Sequence, residues 1–420
     1  MRKSFLIVLL AACASMLAAC GGGGGDGGSS GGSSGGSSGG GTTTAVNSVP
    51  MIVDSGPAAV GNALNEPFVS ITLCSPSNPT NCQTIDHILV DTGSVGLRLV
   101  ATAISPTLGL TQQTDTSGNA LAECASFADG YAWGTLKTAN LQIGTETANN
   151  LTVHIIGDSN YPNIPGSCSA TGIHSENTVA TFGSNGVIGV GLFAVDCGSG
   201  CAQSNQYPVY YSCSSSTSCQ QIALNLNKQL QNPVTQFATD NNGVVLSMPS
   251  VSGTAAATAT GTLTFGIGTQ SNNGLGSAQV YTVDTNPTDS NFSYLTTTYN
   301  GASYIDSFID SGSNGYFFTD NSITPCQNYT GFYCPAGILN LSATIIGHNN
   351  SSSLINFSVG NVETFGSTYP NDAVYTQLGG ENAGDPASFD WGFPFFYGRN
   401  VYVAINGYST PGGSGPYFAF

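Results

Sequence analysis

Two stretches of this 420-residue sequence repeat one arrangement of residues that could do chemistry. Ile88-Leu89-Val90 leads into Asp91-Thr92-Gly93-Ser94, and Phe308-Ile309 leads into Asp310-Ser311-Gly312-Ser313, with a further glycine five residues after each aspartate. A carboxylate placed directly after buried strand residues is costly unless hydrogen bonds hold it. Its neighbours can supply them: the hydroxyls of Thr92, Ser94, Ser311 and Ser313, and the amides of Gly93 and Gly312, with no side chain in the way. Two such carboxyls a few ångströms apart cannot both ionise cheaply, so one keeps its proton while the other can accept one. That is an acid and a base able to work together on a bound water. The bare triplet recurs at Asp54-Ser55-Gly56, but Pro57 follows and no polar–apolar alternation is rebuilt, so this copy reads as a strand-ending turn.

Other chemistries lack a constellation. His87, His154, His174 and His348 are scattered without ligand spacing. Of twelve cysteines, Cys13 and Cys20 fall in the N-terminal segment, and the other ten form an even set, which in an exported chain reads as disulfides. Sequence neighbours pair Cys74 with Cys82, Cys197 with Cys201, Cys213 with Cys219 and Cys326 with Cys334, leaving Cys124 for Cys168. A zinc site built from Cys197, Cys201, Cys213 and Cys219 is disfavoured by its spacings and by an oxidising compartment. No metal and no cofactor is expected. Gly31-Gly32-Ser33-Ser34-Gly35 has the form of a serine-hydrolase elbow but lies in low-complexity sequence without a strand or helix.

Acidic residues outnumber basic ones 23 to 6, for a net charge of -17. Without Arg2 and Lys3 the basic residues are Arg98, Lys137, Lys228 and Arg399, too few for a nucleic-acid partner. The acidity fits solubility and tolerance of low pH, where protonation relieves self-repulsion. At the N-terminus, Arg2 and Lys3 precede an apolar run too short to span a bilayer, the pattern of a signal peptide over residues 1–19. Leu17-Ala18-Ala19-Cys20 resembles a bacterial lipobox, which implies cleavage before Cys20 and lipid on its sulfur. Gly21, in place of aspartate, implies the outer membrane of the cell envelope. Residues 20–44 are then the lipidated cysteine and a Gly/Ser-rich tether, about 25–30 Å long as a flexible coil. Membrane contact is expected through the lipid anchor only.

The remaining length suggests two lobes, 45–240 and 241–420. Runs such as Gly261-Thr262-Leu263-Thr264-Phe265 and Asn400-Val401-Tyr402-Val403-Ala404-Ile405 alternate like strands, and long helical periodicity is scarce, so the class is all-β. The duplication also extends beyond the aspartates. Gly186-Val187-Ile188-Gly189 ends 98 residues after Asp91, and Phe389-Asp390-Trp391-Gly392 ends 82 after Asp310. Gly189 and Gly392 would let a second backbone segment pass close to each aspartate loop.

On these motifs the chain resembles the two-lobed, pepsin-like aspartic peptidases over nearly all of residues 60–420. Asp91-Thr92-Gly93-Ser94 and Asp310-Ser311-Gly312-Ser313 match the two catalytic signatures, and Gly189 and Gly392 close the apolar-apolar-glycine motifs. Pro233 through Met248 is similar to the run that joins the lobes, and Pro394 through Val403 to the family's closing strands. The resemblance implies a pepsin-like acid-protease fold with its cleft between the lobes. It further implies an Asp91/Asp310 pair that activates water, an extended peptide or unfolded protein as substrate, a monomer, and an acidic optimum. Counting back from Gly144, the family's flap tyrosine falls near Phe127; Tyr131 or Trp133 could cover the cleft instead, and both could equally be packed aromatics. The basic pro-segment of the family is absent, and the stretch from Cys197 to Cys219 is an insertion with no assigned pocket. The other reading these departures leave is a pepsin-like lipoprotein that binds peptide or serves a structural role without cleaving.

Overall fold

The computed structural model describes residues 46–172, 174–285, 293–382 and 384–420. The expected signal segment, Cys20 and the tether lie outside them. The chain has an all-β architecture in which one topological unit occurs twice. In the first half the hairpin Pro67–Ser75 and Asn78–Asp91 delivers Asp91 at the end of its second strand. Gly186–Val190 runs parallel to that strand, with Gly189 opposite Asp91, and Val95–Val100 pairs antiparallel on its other side. In the second half Ala302–Ile309 carries Asp310 at its end, Phe389–Trp391 lies parallel to it, and Tyr316–Phe318 is antiparallel on the far side. Each aspartate turn is thus the bend between two strands clasping a third.

The halves share one sheet. Ser48–Val53 pairs with Ala259–Phe265, which continues through Gly243–Ser247 and Asn400–Ala404 to Tyr417–Ala419. One core runs through both halves, but the packing chemistry differs. Around Asp91 it is aliphatic, with Val90, Leu97, Leu99, Val153 and Ile188 all buried. Near Asp310 it is aromatic: Phe318 stacks on Phe389 at 4.6 Å and Phe389 on Trp391 at 4.5 Å. Each such ring contributes about 1.5–3 kcal/mol by burial. The third triplet does end a strand: Ser48–Val53 stops before it, and the Gly56 amide donates to Asp54 Oδ1 at 2.9 Å. All five expected disulfides are present: Cys74–Cys82, Cys124–Cys168, Cys197–Cys201, Cys213–Cys219 and Cys326–Cys334. Among the described residues no helix is long and apolar enough to cross a membrane.

A polar junction also ties the halves. Asn65 is fully buried in the left-handed region at φ 53°. Its side-chain amide donates to the carbonyls of Asn314 (2.8 Å) and Tyr375 (2.7 Å), while its Oδ1 accepts from the Tyr375 amide and the Tyr397 hydroxyl. Asparagine tolerates that backbone and offers both donors and an acceptor at once. Asn65→Leu would leave several buried groups unpaired, at about 1–3 kcal/mol each. We expect a loss of at least ~3 kcal/mol in urea unfolding at constant m-value; a loss under ~1 kcal/mol would show the junction to be dispensable.

Candidate active site

The two aspartate loops meet because each reaches across to the other's backbone. The Thr92 amide donates to Ser311 Oγ at 3.1 Å, and the Ser311 amide donates to Thr92 Oγ1 at 2.9 Å. Each hydroxyl then donates to the strand of the opposite half, Thr92 to the Ile309 carbonyl at 3.0 Å and Ser311 to the Val90 carbonyl at 2.7 Å. The second residue of each triplet is therefore a crosslink between the halves. The glycines that follow make the room. A Cβ on Gly93 would lie 2.7 Å from Asp310 Cγ, and one on Gly312 2.7 Å from Asp91 Oδ1. Gly189 and Gly392 pass equally close, with a Cβ on Gly189 2.5 Å from the Val95 nitrogen and one on Gly392 2.0 Å from the Gly315 carbonyl oxygen.

Each carboxyl accepts the same local pair of bonds. Asp91 receives the Gly93 amide at 2.8 Å and the Ser94 hydroxyl; Asp310 receives the Gly312 amide at 2.7 Å and the Ser313 hydroxyl at 3.0 Å. Both carboxyls are fully buried. Burial raises the Asp91 pKa, opposed by hydrogen bonds from Asp310, Ser94 and Gly93 and by the charge of Arg98. Asp310 is pushed well above the usual carboxylate range by burial and by the negative charges of Asp91 and Asp390. Both members are thus held towards the protonated form, and the pair titrates as a unit.

A cavity of about 480 Å³ opens beside the first loop, against Thr92, Gly93 and Ser94. Arg98, Glu123 and Asp196 form one wall, and Tyr294, Phe308 and Asp385 from the second half form another. Arg98 donates to Glu123 Oε1 at 2.7 Å and to Asp196 Oδ2 at 3.3 Å, and His154 Nδ1 lies 2.9 Å from Glu123 Oε2. Burial alone would raise Glu123, but Arg98 and His154 hold it down to about 2. Asp196, buried next to Glu123, is raised well above its ordinary value. Sequence reasoning missed this wall. Its one available signal was Arg98, a cation in an apolar strand pattern seven residues after Asp91.

The hairpin of Ala120–Ser126 and Tyr131–Ile143 carries the aromatics expected to cover the cleft. Of the three aromatics singled out there, Phe127 lines the cavity and packs edge-on against Phe182 at 5.5 Å. Tyr131 and Trp133 do not reach it. They share the opposite face of their strand, where Trp133 meets Tyr211 edge-on at 5.1 Å and both pack with the Cys124–Cys168 bridge. The insertion creates that face: Tyr210–Ser215 adds to the hairpin's edge at Ala120–Ser126, and Cys197 to Gly200 line the cavity.

A family model described as "Protein of unknown function (DUF3443)" matches residues 43–420. No curated protein matches the sequence. Among solved structures the chain is similar to the aspartic proteinase from Irpex lacteus, at 15% identity and a TM-score of 0.48, over 89% of this chain and 96% of that one.

Two outcomes follow from this geometry. Gly93→Ala forces a methyl onto the Asp310 carboxyl, and overpacking of this kind costs about 1–3 kcal/mol; unfolding free energy at wild-type levels would contradict the close approach. The second concerns pH. Asp91, Asp310, Asp196 and, at about 6, Asp306 hold protons more tightly folded than unfolded. Their contribution to stability is therefore lost as pH rises from the unfolded value of about 4. Glu123 works the other way, and its contribution is lost only as pH falls towards about 2. The melting temperature should peak near pH 4–5 and decline by pH 7; a steady rise from pH 4.5 to 7 would contradict the assignment.

Proposed function

The chain belongs to the DUF3443 family, and we propose that it is an aspartic endopeptidase using Asp91 and Asp310. The observation that carries this reading is the reciprocal fit of the loops, in which each carboxyl lies against the glycine of the opposite triplet. A structural or binding protein has little use for two buried carboxyls that must share a proton. In the proposed reaction a water lies between the pair. Asp91, favoured in its charged form by Ser94, Gly93 and Arg98, takes a proton from that water as its oxygen attacks the peptide carbonyl carbon. Asp310 donates to the carbonyl oxygen and stabilises the tetrahedral intermediate. Asp91 then returns its proton to the departing amine, and the C–N bond breaks. An extended peptide with apolar residues beside the scissile bond fits the cavity walls of Phe127, Phe308 and Leu226. The N-terminal lipobox and Gly/Ser tether support display from a lipid anchor on the cell envelope, as a monomer.

A second reading, a non-cleaving peptide-binding or structural lipoprotein, is favoured by two observations. Both carboxyls are fully buried, and Phe127, which has no hydroxyl, packs against Phe182 where the resemblance expects the flap tyrosine. Cleavage of an unfolded protein between pH 3 and 7.5 by wild type, Asp91→Asn and Asp310→Asn separates the two. We expect the wild type to cut with an optimum below pH 7 and each variant to lose on the order of 10²–10⁴-fold. If all three behave alike, or if the profile peaks above pH 7, the endopeptidase reading fails.

A further inference from the structure

The duplication breaks at one buried residue. In the first half the position beside Leu89, two before Asp91, holds Val187, which packs with Ala63, Phe68 and Leu89. The matching position in the second half, beside Phe308 and two before Asp310, holds Asp390. A carboxyl thus stands where the other half has an isopropyl group. Asp390 is fully buried, with Phe308 as its neighbour on one strand and Phe317 on the other. Among the described residues, neither of its oxygens has a donor in hydrogen-bonding geometry. The groups bearing on its charge are the Ser313 hydroxyl, which steadies it, and Asp91, which opposes it; Asp390 in turn opposes the charge of Asp310. No cation is among them. Burial drives the Asp390 pKa well above the usual range, as expected for a carboxyl without donors.

Ser313 stands between the two acids. Its hydroxyl has a single proton to donate and lone pairs with which to accept. The structure gives that proton to Asp310 Oδ2 at 3.0 Å, although Asp390 is also close enough to be steadied by the same hydroxyl. If Asp390 were ionised, two carboxylates would compete for the one proton. If Asp390 is a neutral acid, its own O–H can point at Ser313 Oγ, and the chain runs one way from Asp390 through Ser313 to Asp310. In the first half Ser94 donates to Asp91 with Val187 at the matching place, so no such choice arises.

We propose that Asp390 is a third carboxyl of this site, a positioning residue that stays neutral, donates to Ser313 Oγ, and so commits that hydroxyl's only proton to Asp310. It would distinguish the two aspartates chemically in a site whose backbone treats them alike. It would also close the site towards neutral pH, because an ionised Asp390 withdraws Ser313 and adds negative charge beside the pair. The consequence for activity rests on the endopeptidase reading; the protonation and hydrogen bonding of Asp390 do not.

Two measurements on the full chain test this. Infrared difference spectra recorded through a pH titration should show a protonated-carboxyl band in the wild type that disappears in Asp390→Asn and shifts in Ser313→Ala. A band unchanged by both substitutions overturns the proposal, whether or not the protein cleaves anything. In the cleavage assay Asp390→Asn, whose amide can donate to Ser313 at every pH, should move the alkaline limb of kcat/KM upward by about one pH unit, a tenfold change in the proton equilibrium. The Ser313→Ala background should abolish that shift. An Asp390→Asn profile identical to wild type overturns the positioning role. Should that variant fold poorly, Asp390→Val copies the residue of the other half. It is expected to raise the alkaline limb while lowering kcat at unchanged KM, and an unaltered limb counts against the proposal. A band that behaves as expected in a protein that cleaves nothing supports the neutral Asp390 and removes the endopeptidase reading alone.

Discussion

The exchange of hydrogen bonds between Thr92 and Ser311 is the constraint on which the site depends. It crosses a separation of 219 residues, and every donor and acceptor in it is buried. Groups buried so deeply are expensive to leave unpaired, so neither loop can settle without the other. Once the exchange forms, each carboxyl is pressed against the glycine of the opposite triplet, and a side chain at either glycine would part the pair. The shared sheet and the Asn65 junction hold the halves near enough for this to happen, but only the loop exchange sets the carboxyls against each other.

Symmetry of backbone does not carry over into symmetry of charge. The first half sets Asp91 among aliphatic residues with Arg98 acting at a distance, while the second sets Asp310 among aromatics with Asp390 next to it. Arg98 favours the charged form of Asp91, whereas burial and the charge of Asp91 hold Asp310 towards its protonated form. The Arg98, Glu123, His154 and Asp196 cluster adds a polar wall on the first-half side of the cavity, balanced internally by its own ion pairs.

The hairpin over the cavity is tied down more than a free flap would be. Cys124–Cys168 anchors one strand, the Tyr131 amide bonds the His174 carbonyl at 2.8 Å, and the insertion strand Tyr210–Ser215 covers its edge. These attachments bury Tyr131 and Trp133 and leave Phe127 as the aromatic at the cavity. Opening such a hairpin would have to involve its tip, between Ser126 and Tyr131, more than its base.

The sequence by itself determined the all-β class, the paired aspartate loops, the two passing glycines and the five disulfides. Those features are written locally, in strand alternation, in small residues at fixed offsets and in cysteines close along the chain. It could not show that Asp390 lies beside Asp310, because 80 residues separate them and only the parallel register of their strands joins them. Nor could it choose among Phe127, Tyr131 and Trp133, since strand alternation puts the last two on one face without saying which face the insertion will cover. Arg98 and Glu123, two ordinary charges 25 residues apart, became a wall only when their strands folded past each other. Tertiary structure decided these points because burial and pairing, not residue type, determine what a polar group costs and which proton it holds.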